Sequence, residues 1–600
     1  MRTAALLVLS TACAACGASA PAKAPPPAPA PLAALAPAPP VTSTPAPAPD
    51  PARELAAKID AIFSAQARPD APGCAVGVYR AGEILFSRGY GLADLEHDVP
   101  ITNESVFDIA SISKQFTAMA ILLLARDGKL SLDDDIRTYV PEVPDFGHPI
   151  RLRHLLHHTS GMRDYAVLLA LAGFRTDKTT DEDALSILHK QKSLNFPPGS
   201  EWRYSNAGYF LLSVVVKRVS GMKLSQFAKA RIFEPLGMKS TVILDDHAAV
   251  VRHRAIGYVR DKRGPGYKAA FNFQDQAGDS GLATSIDDLA RWDANFYEPK
   301  VGDRALLDQL RTPGTLDDGK PLTYALGLME ETVNGRHVEA HSGGTFGFVS
   351  YFMRFPTERL SVAVLCNIED DPKTTPQQFA PAVAELFLPP PPPPTVPVTP
   401  DAGVDVPPAA RPAYVPTSAD LAAIVGSYYE PDTLDVRALV LENGKMILRL
   451  GLAPDAPTRA LEFEGPRSLV VPPAALARYS FEPASRSSPA RIVRTVGDEA
   501  KRTFLRFEPV TPTPSSLAEY EGRYTSDEIP RDLQLVVVDG KLRFATSGRA
   551  PDDDPLTPVA RDVFQAEWMG VHFERDARGK IRAFTVNSTS FHGIRFVRRP

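Results

Sequence analysis

The chain has 600 residues, 58 of them proline, about twice the usual share of roughly 5 per cent. With 44% hydrophobic and 23% charged residues it holds enough apolar material for real cores, which excludes collagen, a coiled coil and disorder throughout. A formal net charge of −5 leaves no basic footprint for nucleic acid or for a direct electrostatic hold on an anionic membrane, and suits small or peptide partners.

The proline excess is local, concentrated in residues 21–51 and 389–416, so the chain reads as globular pieces on proline-rich strings. Residues 1–16 run Arg2, an apolar stretch, then small residues, the order of a signal peptide. The stretch is far shorter than the about 20 residues that span a bilayer. Cys13-Ala14-Ala15-Cys16 resembles a bacterial lipoprotein signal with Cys16 as the lipidated residue, although Cys13 occupies a place where Leu is usual. Membrane anchoring through a lipid on Cys16 and plain secretion are both open. The Pro/Ala string of 17–51 is then an extended spacer, rising ~3.1 Å per residue in polyproline II.

Residues 52–67 carry helical apolar spacing, and two strand-like runs follow at 75–80 and 83–89 around a turn at Ala81-Gly82. Cys74 and Cys366 each lie in a strand-like run; the expectation is two buried free thiols, with a bridge permitted in an oxidising compartment. From Ser111 onward the spacing becomes helical and proline-free. Ser111 therefore falls at a helix start with Lys114 one turn on, on the same face. That pair has chemical content, because a helix start offers unpaired N–H groups to an oxyanion and an amine beside a hydroxyl can take its proton. Ser-x-x-Lys alone also fits a capping serine beside a solvated lysine.

Further along stand Tyr204-Ser205-Asn206 and His341-Ser342-Gly343-Gly344, with Leu155-Leu156-His157-His158-Thr159-Ser160-Gly161 before the first of them and a run from Ser280 to Arg291 between the two. Together with Phe107-Asp108-Ile109-Ala110-Ser111-Ile112-Ser113-Lys114, these segments, in this order, resemble the class C β-lactamase and penicillin-binding-protein-like serine hydrolases over about residues 52–388. The resemblance implies an α+β fold, an antiparallel sheet flanked by helices with an all-helical insertion between the first and third motifs. It implies Ser111 as the acylated nucleophile, Lys114 and Tyr204 sharing the general-base work, Asn206 donating to the substrate carbonyl region, and backbone N–H groups of Ser111 and Gly344 as the oxyanion hole. His341, Ser342 and Gly343 complete the substrate-binding strand. His341 departs from the lysine usual in β-lactamases and carboxypeptidases. Histidine is mostly neutral at pH 7, so recognition of a substrate carboxylate weakens.

No metal and no organic cofactor is expected. His154, His157 and His158 lack the Glu of a His-Glu-x-x-His zinc site, and Gly278-Asp279-Ser280-Gly281 precedes a helix capped by Ser285 and Asp288 rather than forming a nucleophile motif.

After the second proline string, residues 421–428 match 517–524 at an offset of 96, and Asn443-Gly444-Lys445 matches Asp539-Gly540-Lys541 at the same offset. Each dipeptide separates apolar alternating runs and so marks a hairpin. Two copies of a module, 417–510 and 511–600, predict two small antiparallel barrels. Such domains behind a hydrolase resemble the D-aminopeptidase architecture, with His572 and Trp568 as surface contacts or equally as barrel-core or rim residues. The expected activity is acyl transfer from D-amino-acid-containing peptides or esters to Ser111 in an exported enzyme. A β-lactamase, a D-alanyl-D-alanine carboxypeptidase and a catalytically silent ligand-binding relative are the alternatives.

Overall fold

The computed structural model describes residues 51–390 and 414–600, apart from 176, 370, 372, 453–455, 472–476, 486–487, 497, 546–554 and 567–568. The signal segment, Cys13, Cys16, most of both proline strings and Trp568 lie outside the described residues.

The N-terminal domain is built on a six-stranded antiparallel sheet, in the order Met329–Val333, Arg336–Thr345, Phe348–Phe355, Leu360–Cys366, Cys74–Arg80, Glu83–Tyr90. The turn between the last two is made by Ala81 and Gly82, both at positive φ. Leu360–Cys366 is buried at every position, the mark of a central strand covered on both faces. One face carries Pro51–Ile62 and Pro376–Glu385, which pack through Ile59, Val383 and Ala384 against Val362 and Val364. The other carries Lys114–Arg126, a helix apolar almost all round and buried along nearly its whole length, as a helix central to a core must be. Asn206–Ser220 packs beside it within the same core.

Two expectations are corrected. Cys74 and Cys366 form a disulfide, because their strands are antiparallel neighbours with these two residues directly opposed. The insertion is not all helical. It contributes Gly257–Arg260 and Tyr267–Ala270 to one three-stranded sheet, and Val242–Ile243 and Leu282–Thr284 to another that pairs with Phe107–Asp108 just before Ser111.

The C-terminal third holds two eight-stranded domains. The first, from Gly426–Tyr429 to Arg502–Phe507, closes into a barrel; the second, from Gly522–Thr525 to Ile594–Arg598, is an eight-stranded antiparallel sheet. Their duplication extends to single atoms. Tyr428 and Tyr524 donate to the carbonyls of Ile424 and Tyr520 at 2.7 and 2.8 Å. Gly426 and Gly522 leave room for Arg506 and Arg598, whose Nε a Cβ would meet at 2.8 Å in each copy. Asn443-Gly444 and Asp539-Gly540 turn their hairpins with both residues at positive φ, as a type I′ turn requires.

Candidate active site

Ser111 sits in a 3-10 turn, Ala110–Ser113, that runs directly into the helix Lys114–Arg126. Ala110 is held at φ 48°, an uncommon conformation for a residue with a Cβ, and its N–H donates to the buried Asp108 carboxylate at 2.9 Å. Ser350 Oγ donates to the Ile109 carbonyl at 3.0 Å, which ties the turn to the sheet.

Lys114 is fully buried, and its Nζ has three partners: Ser111 Oγ at 3.0 Å, Asn206 Oδ1 at 3.0 Å and the Asp279 carbonyl at 2.7 Å. Burial lowers its pKa to about 8, against the opposing pull of Asp279 and Asp164. The arrangement suits a neutral amine, which donates its two N–H groups to Asn206 and Asp279 and turns its lone pair to the Ser111 hydroxyl. The ammonium also fits, with all three protons donated.

Tyr204 completes the group. Its ring lies 4.8 Å from Lys114 Nζ, and its buried hydroxyl lies beside Ser111 without a fully formed hydrogen bond among the described residues. Burial raises the phenol pKa strongly, with Ser111 the neighbour pulling it down. The phenol is thus protonated in the resting site, and a hydroxyl beside Ser111 is placed to pass a proton.

Asn206 opens its helix with its N–H donating to Asp164 Oδ2 at 2.7 Å. Asp164 Oδ1 caps the next helix, Tyr165–Leu171, through Ala166 and Val167. Gly343 packs on the Ser111 turn so closely that a Cβ would stand 2.2 Å from the Ile109 carbonyl oxygen, whereas Gly344 faces open space. Among the described residues, the strand Arg336–Thr345 pairs on its outer side from Arg336 to Ala340 and no further. Its end from His341 to Thr345 thus leaves an edge beside Ser111 on which an extended substrate can lie.

His341 is 3% exposed. Its Nδ1 meets the Ser342 carbonyl at 2.6 Å and its Nε2 the Tyr324 hydroxyl at 3.1 Å, so the proton sits on Nδ1 and Nε2 accepts. Burial, with Lys114 nearby, lowers its pKa to about 3. The ring is a neutral part of an aromatic wall rather than a cation.

Three contributors escaped the sequence reading. His158 stacks against Tyr204 at 4.2 Å between ring centroids and accepts from the Ser205 N–H at 3.3 Å. Tyr324 links that wall to His341. Asp279 receives Lys114 through its backbone carbonyl and Tyr165 through its carboxylate. The Gly278-Asp279 pair, set aside as a false nucleophile motif, was the available signal.

The family model described as Beta-lactamase matches residues 59–386, more than half of the chain. A D-aminopeptidase of Gluconobacter oxydans (strain 621H) is 32% identical over 314 residues, spanning 52% of this chain and 59% of that protein. A D-aminopeptidase of Brucella canis is 27% identical over 547 residues, spanning 88% of this chain and 96% of that protein. The octameric penicillin-binding protein homologue from Pyrococcus abyssi has the same fold, with a TM-score of 0.52 at 22% identity over 75% of this chain and 99% of that one.

Proposed function

The chain belongs to the beta-lactamase family and is a serine hydrolase of that family, and from that premise we propose that it hydrolyses amides of D-amino acids, releasing them from the N-terminus of peptides, through an acyl-enzyme on Ser111. The observation that carries the mechanism is the contact of a dehydrated Lys114 amine with Ser111 Oγ at 3.0 Å. The neutral amine takes the hydroxyl proton as Oγ attacks the substrate carbonyl. The N–H groups of Ser111 and Gly344 receive the oxyanion, and Tyr204 delivers its proton to the leaving amine and regains one from the Lys114 ammonium. Water then repeats the sequence on the ester.

Substrate choice rests on two supports. The relatives that match this chain include D-aminopeptidases, one of them over nearly its whole length. The wall beside the open strand is also neutral at His341, which offers no fixed cation to the free carboxylate that a carboxypeptidase or β-lactamase must hold. Hydrolysis of D-alanine p-nitroanilide and its L-enantiomer by purified protein tests the reading. Turnover of the D-form only, rising with pH through about 8 as Lys114 loses its proton, is expected; equal turnover of both, or faster turnover of nitrocefin, contradicts it.

We infer export as well, with Cys16 as a lipid anchor and residues 17–51 as the tether. The Cys74–Cys366 disulfide supports an oxidising compartment. Metabolic labelling with radioactive palmitate tests the anchor, since incorporation must disappear in Cys16→Ala; label retained in that variant refutes it.

A further inference from the structure

The end of the second C-terminal domain reaches the hydrolase at residues that flank the candidate site. Arg163, with a side chain 1% exposed, pairs with Glu528 of that domain at 2.5 Å. It also donates to Gln191, Ser193 and the carbonyl of His592. The Asn195 amide pairs with the loop between the last two strands as a backbone would, donating to the Ser590 carbonyl at 3.0 Å and accepting from the His592 N–H at 3.0 Å. The same Ser590 carbonyl accepts the Asp164 N–H at 3.3 Å. The His592 ring takes a hydrogen bond from Arg203 Nη1 at 2.7 Å on Nε2, which fixes the ring proton on Nδ1.

These contacts converge on one short segment. Residues 203–206 carry Tyr204 and Asn206, and they are gripped at both ends: Arg203 by His592, and Asn206 by Asp164, whose own N–H is held by Ser590. Between the two grips, Ser205 is fastened to His158. A relay of four hydrogen bonds therefore runs from Ser590 through Asp164, Asn206 and Lys114 to Ser111 Oγ. We propose that the contacts of the second C-terminal domain fix the Tyr204–Asn206 segment, with His592 a positioning residue that holds Tyr204 and Asn206 in register with Ser111 through Arg203. This rests on Ser111 being the nucleophile but not on the D-amino-acid reading.

Displacing a proton-transfer group by about 1 Å costs on the order of 100-fold in rate, so the loss of one grip must be visible in chemistry rather than in binding. The test measures the rate at which a fluorophosphonate labels Ser111 in the full chain, for the parent, His592→Ala and His592→Gln. The alanine removes the acceptor for Arg203 but leaves the backbone contacts of residue 592; the glutamine restores an acceptor oxygen. Labelling slowed about tenfold or more in His592→Ala, returned to within about threefold by His592→Gln, with cooperative unfolding preserved in both, is the expected result. His592→Ala labelling at the parent rate, or His592→Gln as slow as the alanine, overturns the proposal. Should the alanine variant not fold, the parent and His592→Gln are compared with Glu528→Gln, which neutralises the partner of Arg163; an unchanged rate in Glu528→Gln overturns it equally. A parent chain that is not labelled at all refutes the nucleophile assignment instead, so the two failures are distinguishable.

Discussion

The two C-terminal domains are copies that have diverged at their edges. Both keep the tyrosine that returns to the preceding helix and the arginine that fills the space above a strand glycine. The first closes on itself around its own core of Tyr428, Leu439, Leu469 and Ile492. The second contributes Tyr524, Phe584 and Phe596 to the same continuous apolar cluster as the hydrolase helices. It also sends Glu528, Ser590 and His592 into the hydrolase, where the first sends Asp498, which accepts from the N–H and hydroxyl of Thr323. A shared scaffold thus carries a self-contained domain in one copy and a docked one in the other. The difference teaches that attachment resides in turns and loop ends, which a duplicated strand framework leaves free to change.

That contrast sets an order of sensitivities. The largest effect is expected from Glu528→Ala, which strands the Arg163 guanidinium in a site that excludes water. Breaking a buried pair from one side costs about 3–5 kcal/mol, so chemical denaturation should show that loss together with slower Ser111 labelling; a loss under about 1 kcal/mol would mean that Arg163 finds water or a new partner. Asp498→Ala in the first domain removes acceptors from two donors near Tyr324. A loss of about 1–3 kcal/mol is expected on denaturation, with labelling of Ser111 nearly unchanged. A labelling defect equal to that of Glu528→Ala would erase the distinction between the domains.

The smallest effect is reversible and set by pH. Burial, then the neighbouring Arg203, Arg502 and Arg163, hold the His592 pKa down at about 4, below its ordinary 6.5. The unfolded chain therefore binds a proton that the folded one refuses. The contribution of the neutral ring to stability is complete above about pH 6.5 and is lost as pH falls towards 4. In His592→Gln the dependence of melting temperature on pH over that window should flatten relative to the parent; an identical slope would assign the acid sensitivity elsewhere.

Much of the site was legible because its parts are local. Ser111 and Lys114 are one helical turn apart in any chain that is helical there, and Tyr204 and Asn206 lie within three residues of each other. The strand Arg336–Thr345 announces itself through its glycine pair, of which Gly343 is the one whose missing Cβ the Ser111 turn needs. The duplication was legible for a similar reason, since hairpin dipeptides and strand spacing repeat. Asp164 and Asp279 were not legible, because the Asp164 carboxylate binds the backbone N–H of a residue 42 positions away and Asp279 receives Lys114 through a backbone carbonyl, and neither contact leaves a mark in local spacing. The disulfide was hidden because Cys74 and Cys366 are 292 residues apart and only strand order makes them opposite. Glu528 and His592 look in the sequence like solvated turn residues; nothing but tertiary placement separates them from their exposed neighbour Asp527.

Acylation of Ser111 by the substrate is the step on which every other role in the site depends. The most direct measurement is intact-protein mass spectrometry of the full chain quenched in acid during turnover of a D-alanine ester, followed by peptide mapping. A mass increase of one alanyl group, placed on Ser111 and absent in Ser111→Ala, is the predicted result. An adduct on another residue, or steady turnover by Ser111→Ala at the parent rate, would contradict it.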